Sequence, residues 1–272
     1  MKIIDSEEFK RISLDMLISL DEFCKQNNLR YVLDFGTLIG AIRHKGFIPW
    51  DDDIDVTMPR EDYEKLYSLL SENDFKLGEN YRLASARNKY NIYKPYFNLI
   101  DIRTITKSNV RKEIYHYPVW IDIFPMDKIK SRFDSQITLS IVRSILRISQ
   151  TSLFIKDGKL RNLKEAIAVL FSPLKKRGLL IADKIAYKEN ISGTKIINYM
   201  TSPDINQDSD IVNYDEYVDV QFENHIFRAP KNYDSRLRKR FGDYMQLPAE
   251  SEREIHFTEA YWLDEQDDKL YK

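Results

Sequence analysis

Phe9, Ile12, Met16, Leu20 and Phe23 recur at steps of three and four, the spacing of one face of an α-helix. The pattern predicts an amphipathic helix that starts after Asp5, with Glu8 three residues on as part of a capping arrangement. Tyr31 to Asp34 (YVLD) reads as a short strand closed by a turn at Gly36, and Thr37 to Ile42 resumes with helical character. Ile54 to Met58 reads as a second strand ending at Pro59. Arg60 to Leu70 then carries Tyr63, Leu66, Leu69 and Leu70 at helical spacing. Tyr81 to Ala86, Tyr96 to Thr104 and Val119 to Phe124 are further strand-like runs, the last ended by Pro125.

The texture changes after about Lys130. Ile137, Ile141, Val142, Ile145, Leu146 and Ile148 look helical, as do Leu163 to Phe171 and, after Gly178, Leu179 to Tyr187. Gln221 to Leu247 returns to a short strand and then a helix before an acidic tail. The expected fold class is therefore α+β: a mixed sheet flanked by helices, interrupted by a mostly helical segment. The expected units are a core over residues 1–129, a helical subdomain over 130–210, and a segment over 211–272 that returns to the core.

Charge sharpens this division. The whole chain of 272 residues is nearly neutral, with 42 Lys and Arg against 43 Asp and Glu, so no global basic field exists to grip nucleic acid. Between Lys130 and Lys188, however, thirteen Lys and Arg face only four acids. This basic helical segment reads either as a solvated face over a core or as a dock for an anionic membrane surface. The single cysteine, Cys24, rules out an intrachain disulfide and suits a reducing compartment. The acidic start, MKIIDSEE, lacks the basic and apolar pattern of a secretory signal, and no apolar stretch approaches the roughly 18 residues of a membrane span. A cytoplasmic protein, peripheral at most to the inner face of the plasma membrane, is expected.

The chemistry concentrates in WDDDIDV. Asp53 and Asp55 stand two residues apart, so on a strand both side chains leave one face with α-carbons roughly 7 Å apart. Two carboxylates so placed repel unless a cation neutralises them, which points to a divalent metal; a solvated acidic turn is the alternative. A calcium loop fails, because Val56 stands where glycine is needed and Asp62 where glutamate is expected. Two further features support the metal reading. The Gly36-Thr37 turn precedes a short helix whose start is suited to hold a phosphate, and Asp122 in VWIDIF is a lone carboxylate on an apolar strand. Strand-borne acids beside such a turn suit phosphoryl transfer.

The run FGTLIGAIRHKGFIPWDDDIDVTMPREDYEKL, from Phe35 to Leu66, resembles the signature of the LicD family, bacterial phosphocholine transferases of the nucleotidyltransferase-fold superfamily. The resemblance recurs at WIDIFPMD and at FRAPKNYDSRLRKRFGDYMQLP with the later His256. It implies a nucleotidyltransferase-like core and Mg²⁺-dependent transfer (Mn²⁺ being a possible substitute) of phosphocholine from CDP-choline. The acceptor would be a sugar hydroxyl of a teichoic acid, capsular or lipopolysaccharide precursor, in some cases lipid-linked, with release of CMP. By position, Asp53 and Asp55 match the paired metal ligands, Asp122 the third carboxylate, and Gly36 and Thr37 the phosphate-holding turn. Arg43 and Lys45 follow that turn as candidates to neutralise a diphosphate, with His44 and His256 as weaker ones. Tyr90, Tyr93, Tyr96, Tyr115, Tyr117 and Trp120 are candidates to hold a quaternary ammonium on their ring faces, against core packing as the alternative role. Transfer of another CDP-linked alditol phosphate, such as ribitol phosphate, and a non-catalytic nucleotide- or membrane-binding scaffold are the rival readings.

Overall fold

A computed structural model describes residues 1–90, 94–107, 116–128, 132–151, 175–189, 196–197, 213–253 and 259–264. Helix α1 (Ser6–Gln26) starts where its sequence signals it, the Asp5 carboxylate accepting the Glu8 N–H at 2.8 Å. Its face of Phe9, Ile12, Met16 and Leu20 is buried against the central sheet. Strand β2 (Val32–Leu33) is shorter than the YVLD run, because Asp34 leaves the strand to cap helix α2 (Phe35–Ile39). Gly36 is thus inside a helix rather than in a turn, and a single wide helical turn, Gly40–His44, continues it.

Strand β3 (Asp55–Pro59) runs directly into helix α3 (Arg60–Ser71), whose Tyr63 ring stacks on Phe97 at 3.7 Å between centroids. The short pair β4 (Lys76–Leu77) and β5 (Tyr81–Ala84) leads to the long strands β6 (Phe97–Lys107) and β7 (His116–Lys128). Pro125 does not end β7. Asp122 donates its N–H toward β3, so by the alternation of the ladder the Pro125 nitrogen faces the opposite flank, past the last pair made by β6 at Phe97 and Ile123. No ladder hydrogen bond is lost there.

Helices α4 (Arg132–Thr151) and α5 (Lys175–Glu189) pack on each other through Leu139, Val142 and Leu146 against Leu179, Ala182 and Ala186. The expected helix at Leu163 to Phe171 lies outside the described residues. Arg60, wholly buried, ties α5 to the core: it reaches Asp127 on β7 at 2.7 and 2.9 Å and Asp183 on α5 at 2.8 Å. Arg143, Arg147, Lys176, Arg177, Lys184 and Lys188 are exposed on these helices, as are Ile137, Ile141 and Ile181.

After β8 (Ile196–Ile197), the hairpin β9 (Tyr217–Phe222) and β10 (His225–Pro230) stands where a single strand is expected. Helix α6 (Tyr233–Phe241) follows, and β11 (Glu259–Trp262) closes the sheet beside β1 (Lys2–Ile4). Among the described residues the main sheet has nine strands: six along the path β1-β11-β6-β7-β3-β2, with β5 pairing β6, β4 pairing β5 and β8 pairing β7 off it. It is mixed: β3 and β7 are parallel, and their neighbours pair antiparallel. The fold is therefore α+β with a mixed sheet flanked by helices, as the hydrophobic pattern predicts.

Candidate active site

The site lies where β3 and β7 run side by side. Asp55 and Asp122 are register partners across that parallel pairing, and the Asp122 N–H donates to the Ile54 carbonyl at 2.8 Å. On the other flank of β7, Asp122 pairs with Asn98 of β6. Partners in register project to one face, so Asn98, Asp122 and Asp55 form a row across three strands. Asp53, two residues before Asp55, adds its charge from the loop that enters β3, and with Asp51 these acids line one cleft of about 360 Å³. The rest of its lining is aromatic and basic: Phe35, Phe124, Phe241 and Arg240.

Burial shifts the proton affinity of these acids. Desolvation, then the charges of Asp53 and Asp122, push the Asp55 carboxyl well above the ordinary range, with Lys94 opposing. Asp122 is pushed up by burial and held back by Lys94, whose ammonium sits 2.9 and 3.1 Å from its two oxygens. The Asn98 amide donates to Asp122 Oδ1, and the Tyr96 hydroxyl reaches Oδ2 at 3.4 Å. Lys94 also lies over the Trp120 ring, 4.3 Å from its centroid.

Thr37, expected beside Gly36 to hold a phosphate, reaches the start of β3 with its side chain. Its buried hydroxyl accepts the Asp55 N–H at 2.8 Å, so it fixes the start of β3 and with it the carboxylate pair. Gly36 lines the cleft, and a Cβ there would stand 2.7 Å from Asp51 Oδ2, which makes glycine a requirement of close approach. Phe35 takes a left-handed backbone conformation, φ +50°, with its N–H held by the Asp34 carboxylate at 2.9 Å. Arg236 of α6 donates to both oxygens of buried Asp34, and one helical turn later Arg240 lies 4.1 Å from the Phe35 ring centroid. This buried ion pair is how α6, distant in sequence, comes to wall the cleft.

The other expected residues lie elsewhere. Arg43 donates to the carbonyls of Tyr244 and Gln246 and to His44, so it ties down the segment after α6 rather than lining the cleft. The Lys45 side chain is exposed, and its carbonyl accepts the Glu223 N–H at 2.7 Å from the tip of the β9–β10 hairpin. His256, Tyr93 and Tyr115 lie outside the described residues. Tyr90 packs in a small cluster with Ala84 and Ile100, and Tyr117 and Trp120 pack against that cluster; of the six aromatic candidates Tyr96 touches Asp122. Lys94, Asn98 and Arg240 are site residues that the sequence does not single out. Only Arg240 had a signal, since it falls within the RLRKRFGDYM block.

The donor chemistry fits a hard divalent cation. The acids of the cleft offer only oxygen, they repel one another in partial burial, and Asp51 Oδ1 is buried without a hydrogen-bond partner. As the side chains stand, no three carboxylate, imidazole or thiolate groups among the described residues converge as a ready-made metal cluster. Asp122 is held by Lys94, Asn98 and Tyr96 instead.

The family model described as "LicD/FKTN/FKRP, nucleotidyltransferase domain" matches residues 28–140, the span that carries β2 to β7. Lipopolysaccharide cholinephosphotransferase LicD of Haemophilus influenzae is 30% identical over 276 aligned residues, covering 97% of this chain and 100% of that protein. An uncharacterised protein of Rickettsia prowazekii is 35% identical over 117 residues, 43% of this chain and 41% of its own. A second, from Rickettsia typhi, is 45% identical over 66 residues, 24% of this chain and 21% of its own.

Proposed function

This chain belongs to the LicD family and is a transferase of that family, and we propose that it moves phosphocholine from CDP-choline to a hydroxyl of a glycan, releasing CMP. The observation that carries the reading is the row of Asp55 and Asp122 in register, lining one cleft with Asp53, aromatic rings and Arg240. In this reading the core is nucleotidyltransferase-like. Asp53, Asp55 and Asp122 hold Mg²⁺ or Mn²⁺, which would supply charge neutralisation at the phosphate.

The chain's own residues do the rest. Asp122 completes the site and helps activate the acceptor hydroxyl beside Asp55. The acceptor oxygen forms a bond to the choline-bearing phosphorus, the bond from that phosphorus to the CMP oxygen breaks, and the hydroxyl proton passes to a carboxylate oxygen of the row that the metal does not occupy. Arg240, at the cleft wall, is placed to meet the developing charge on the leaving CMP. A quaternary ammonium donates no hydrogen bonds and is held by ring faces. Phe35, Phe124 and Phe241 line the cleft, the first two 5.1 Å apart between centroids, and their rings support a quaternary ammonium as the donor's head group.

The acceptor class is a lipopolysaccharide, teichoic acid or capsular precursor. The exposed bases and isoleucines of α4 and α5 support an anionic membrane surface as the place where a lipid-linked acceptor is met. No described helix is long and apolar enough to cross a membrane. The direct test is CMP release from CDP-choline with Mg²⁺ and a lipid-linked glycan, comparing wild type with Asp53→Ala. Release that requires both the acceptor and Asp53 is expected. Folded wild type that turns over CDP-ribitol and not CDP-choline would overturn the donor assignment.

A further inference from the structure

Asp122 is saturated. An ionised carboxylate offers about four lone-pair positions, and Asp122 receives four contacts: Lys94 on each oxygen, Asn98 on Oδ1 and Tyr96 on Oδ2. A cation can bind this carboxylate only where one of those donors withdraws. Asn98 is held in register on β6 and completely buried. The Tyr96 ring packs on Phe124 at 4.3 Å between centroids, so its hydroxyl is fixed by the cleft wall. Lys94 differs from both. It precedes β6, its side chain keeps 26% of its exposure, and its flexible stem carries a mobile charge. The ammonium already lies over the Trp120 face, 4.3 Å from its centroid, so that ring can go on holding the charge when it leaves the Asp122 oxygens.

We propose that Lys94 is a built-in counter-ion of the cleft, competing with a divalent cation for Asp122 and withdrawing along the Trp120 face when the cation binds. The inference rests on the metal-dependent reading above and goes beyond it, since it assigns a resident cation to the same carboxylate. It accounts for the way a fold with several half-buried acids in one cleft stays neutral enough to form before any ligand arrives.

The test reads metal binding rather than turnover. Free Mn²⁺ is titrated with wild type, Lys94→Met, Lys94→Gln and Lys94→Arg, without nucleotide, and its electron paramagnetic resonance signal is followed. Thermal melts in chelator confirm that each variant is folded. Lys94→Met and Lys94→Gln are expected to bind Mn²⁺ about tenfold more tightly than wild type and to melt lower in chelator, with Lys94→Arg close to wild type. Adding Asp53→Asn is expected to weaken the ion in every background. Binding by the Met and Gln variants that equals or falls below wild type overturns the proposal and leaves the metal reading standing. Absence of binding in all of them, or binding indifferent to Asp53→Asn, overturns the metal reading and the proposal with it.

Discussion

Asp55 and Asp122 face each other as register partners across the parallel pairing of β3 and β7. Ionising both would set like charges about 5 Å apart, a repulsion of about 3 kcal/mol at an effective dielectric of about 20, which the raised proton affinity of Asp55 and the Lys94 ammonium on Asp122 offset only in part. Asp55→Asn is therefore expected to raise the midpoint of urea unfolding at pH 8 in chelator while lowering CMP release by about 10³-fold. A variant that loses both activity and stability would mark Asp55 as a structural residue.

Thr37 tests whether the carboxylates are held by the fold or only by ligands. Its hydroxyl is the acceptor for the Asp55 N–H, and Thr37→Val leaves that buried donor unmet, at about 1–3 kcal/mol. Urea titration is expected to show that loss, with a fall in kcat because the start of β3 shifts. Thr37→Ser keeps the oxygen and is expected to keep most of both.

The Asp34–Arg236 pair predicts a pH dependence with a definite sign. Burial pushes the Asp34 carboxyl up, but the charge and hydrogen bonds of Arg236, the Phe35 N–H and the charge of Arg240 outweigh it and hold the group below its ordinary value. A carboxylate lowered in the folded state contributes stability that is complete above the unfolded value of about 3.9 and is lost as pH falls through the folded value. Asp34→Asn is thus expected to destabilise by about 3–5 kcal/mol at pH 7. The gap from wild type should close below about pH 4. Chemical denaturation at pH 7 and pH 3 measures both.

Arg240 stands at the cleft wall over Phe35. If it meets the donor's phosphates, Arg240→Ala raises the KM for CDP-choline by about 10–100-fold, about 1.4–2.8 kcal/mol, and leaves the melting temperature within about 2 °C of wild type. Initial-rate kinetics across donor concentrations, with a melt of the same sample, separate the two effects.

Gly36→Ala brings a Cβ to within 2.7 Å of Asp51 Oδ2. The Asp51 carboxylate must swing away to relieve that contact, and a loss of about 10²-fold in kcat/KM is expected with the fold retained. Rates close to wild type would show that Asp51 can move without consequence for the chemistry.

Much of this is legible in the sequence. The 3.6-residue period of Phe9 to Phe23 and the Asp5 cap define α1, and the apolar run after WDDD defines β3, because local patterns report local structure. The paired acids and Asp122 were legible as chemistry for the same reason: carboxylates on apolar strands are costly without a task. Pro125 misled because an isolated sequence does not reveal which flank of β7 its nitrogen faces. Arg43 misled because proximity to the Gly36 turn along the chain does not fix direction, and its guanidinium turns to the Tyr244 and Gln246 carbonyls.

What the sequence by itself determined is therefore the main helices and strands and the acids that are candidates for chemistry, since periodicity, caps and charge on an apolar strand are read within a few residues. Only the tertiary structure decided that Asp55 and Asp122 stand in register. It alone brought Lys94 and Asn98 onto Asp122, and Arg240 to the cleft through Arg236 and Asp34, some two hundred residues apart in the chain. Pairing register and ion-pair partners are set by which surfaces bury together, a property of the packed chain that no local pattern carries.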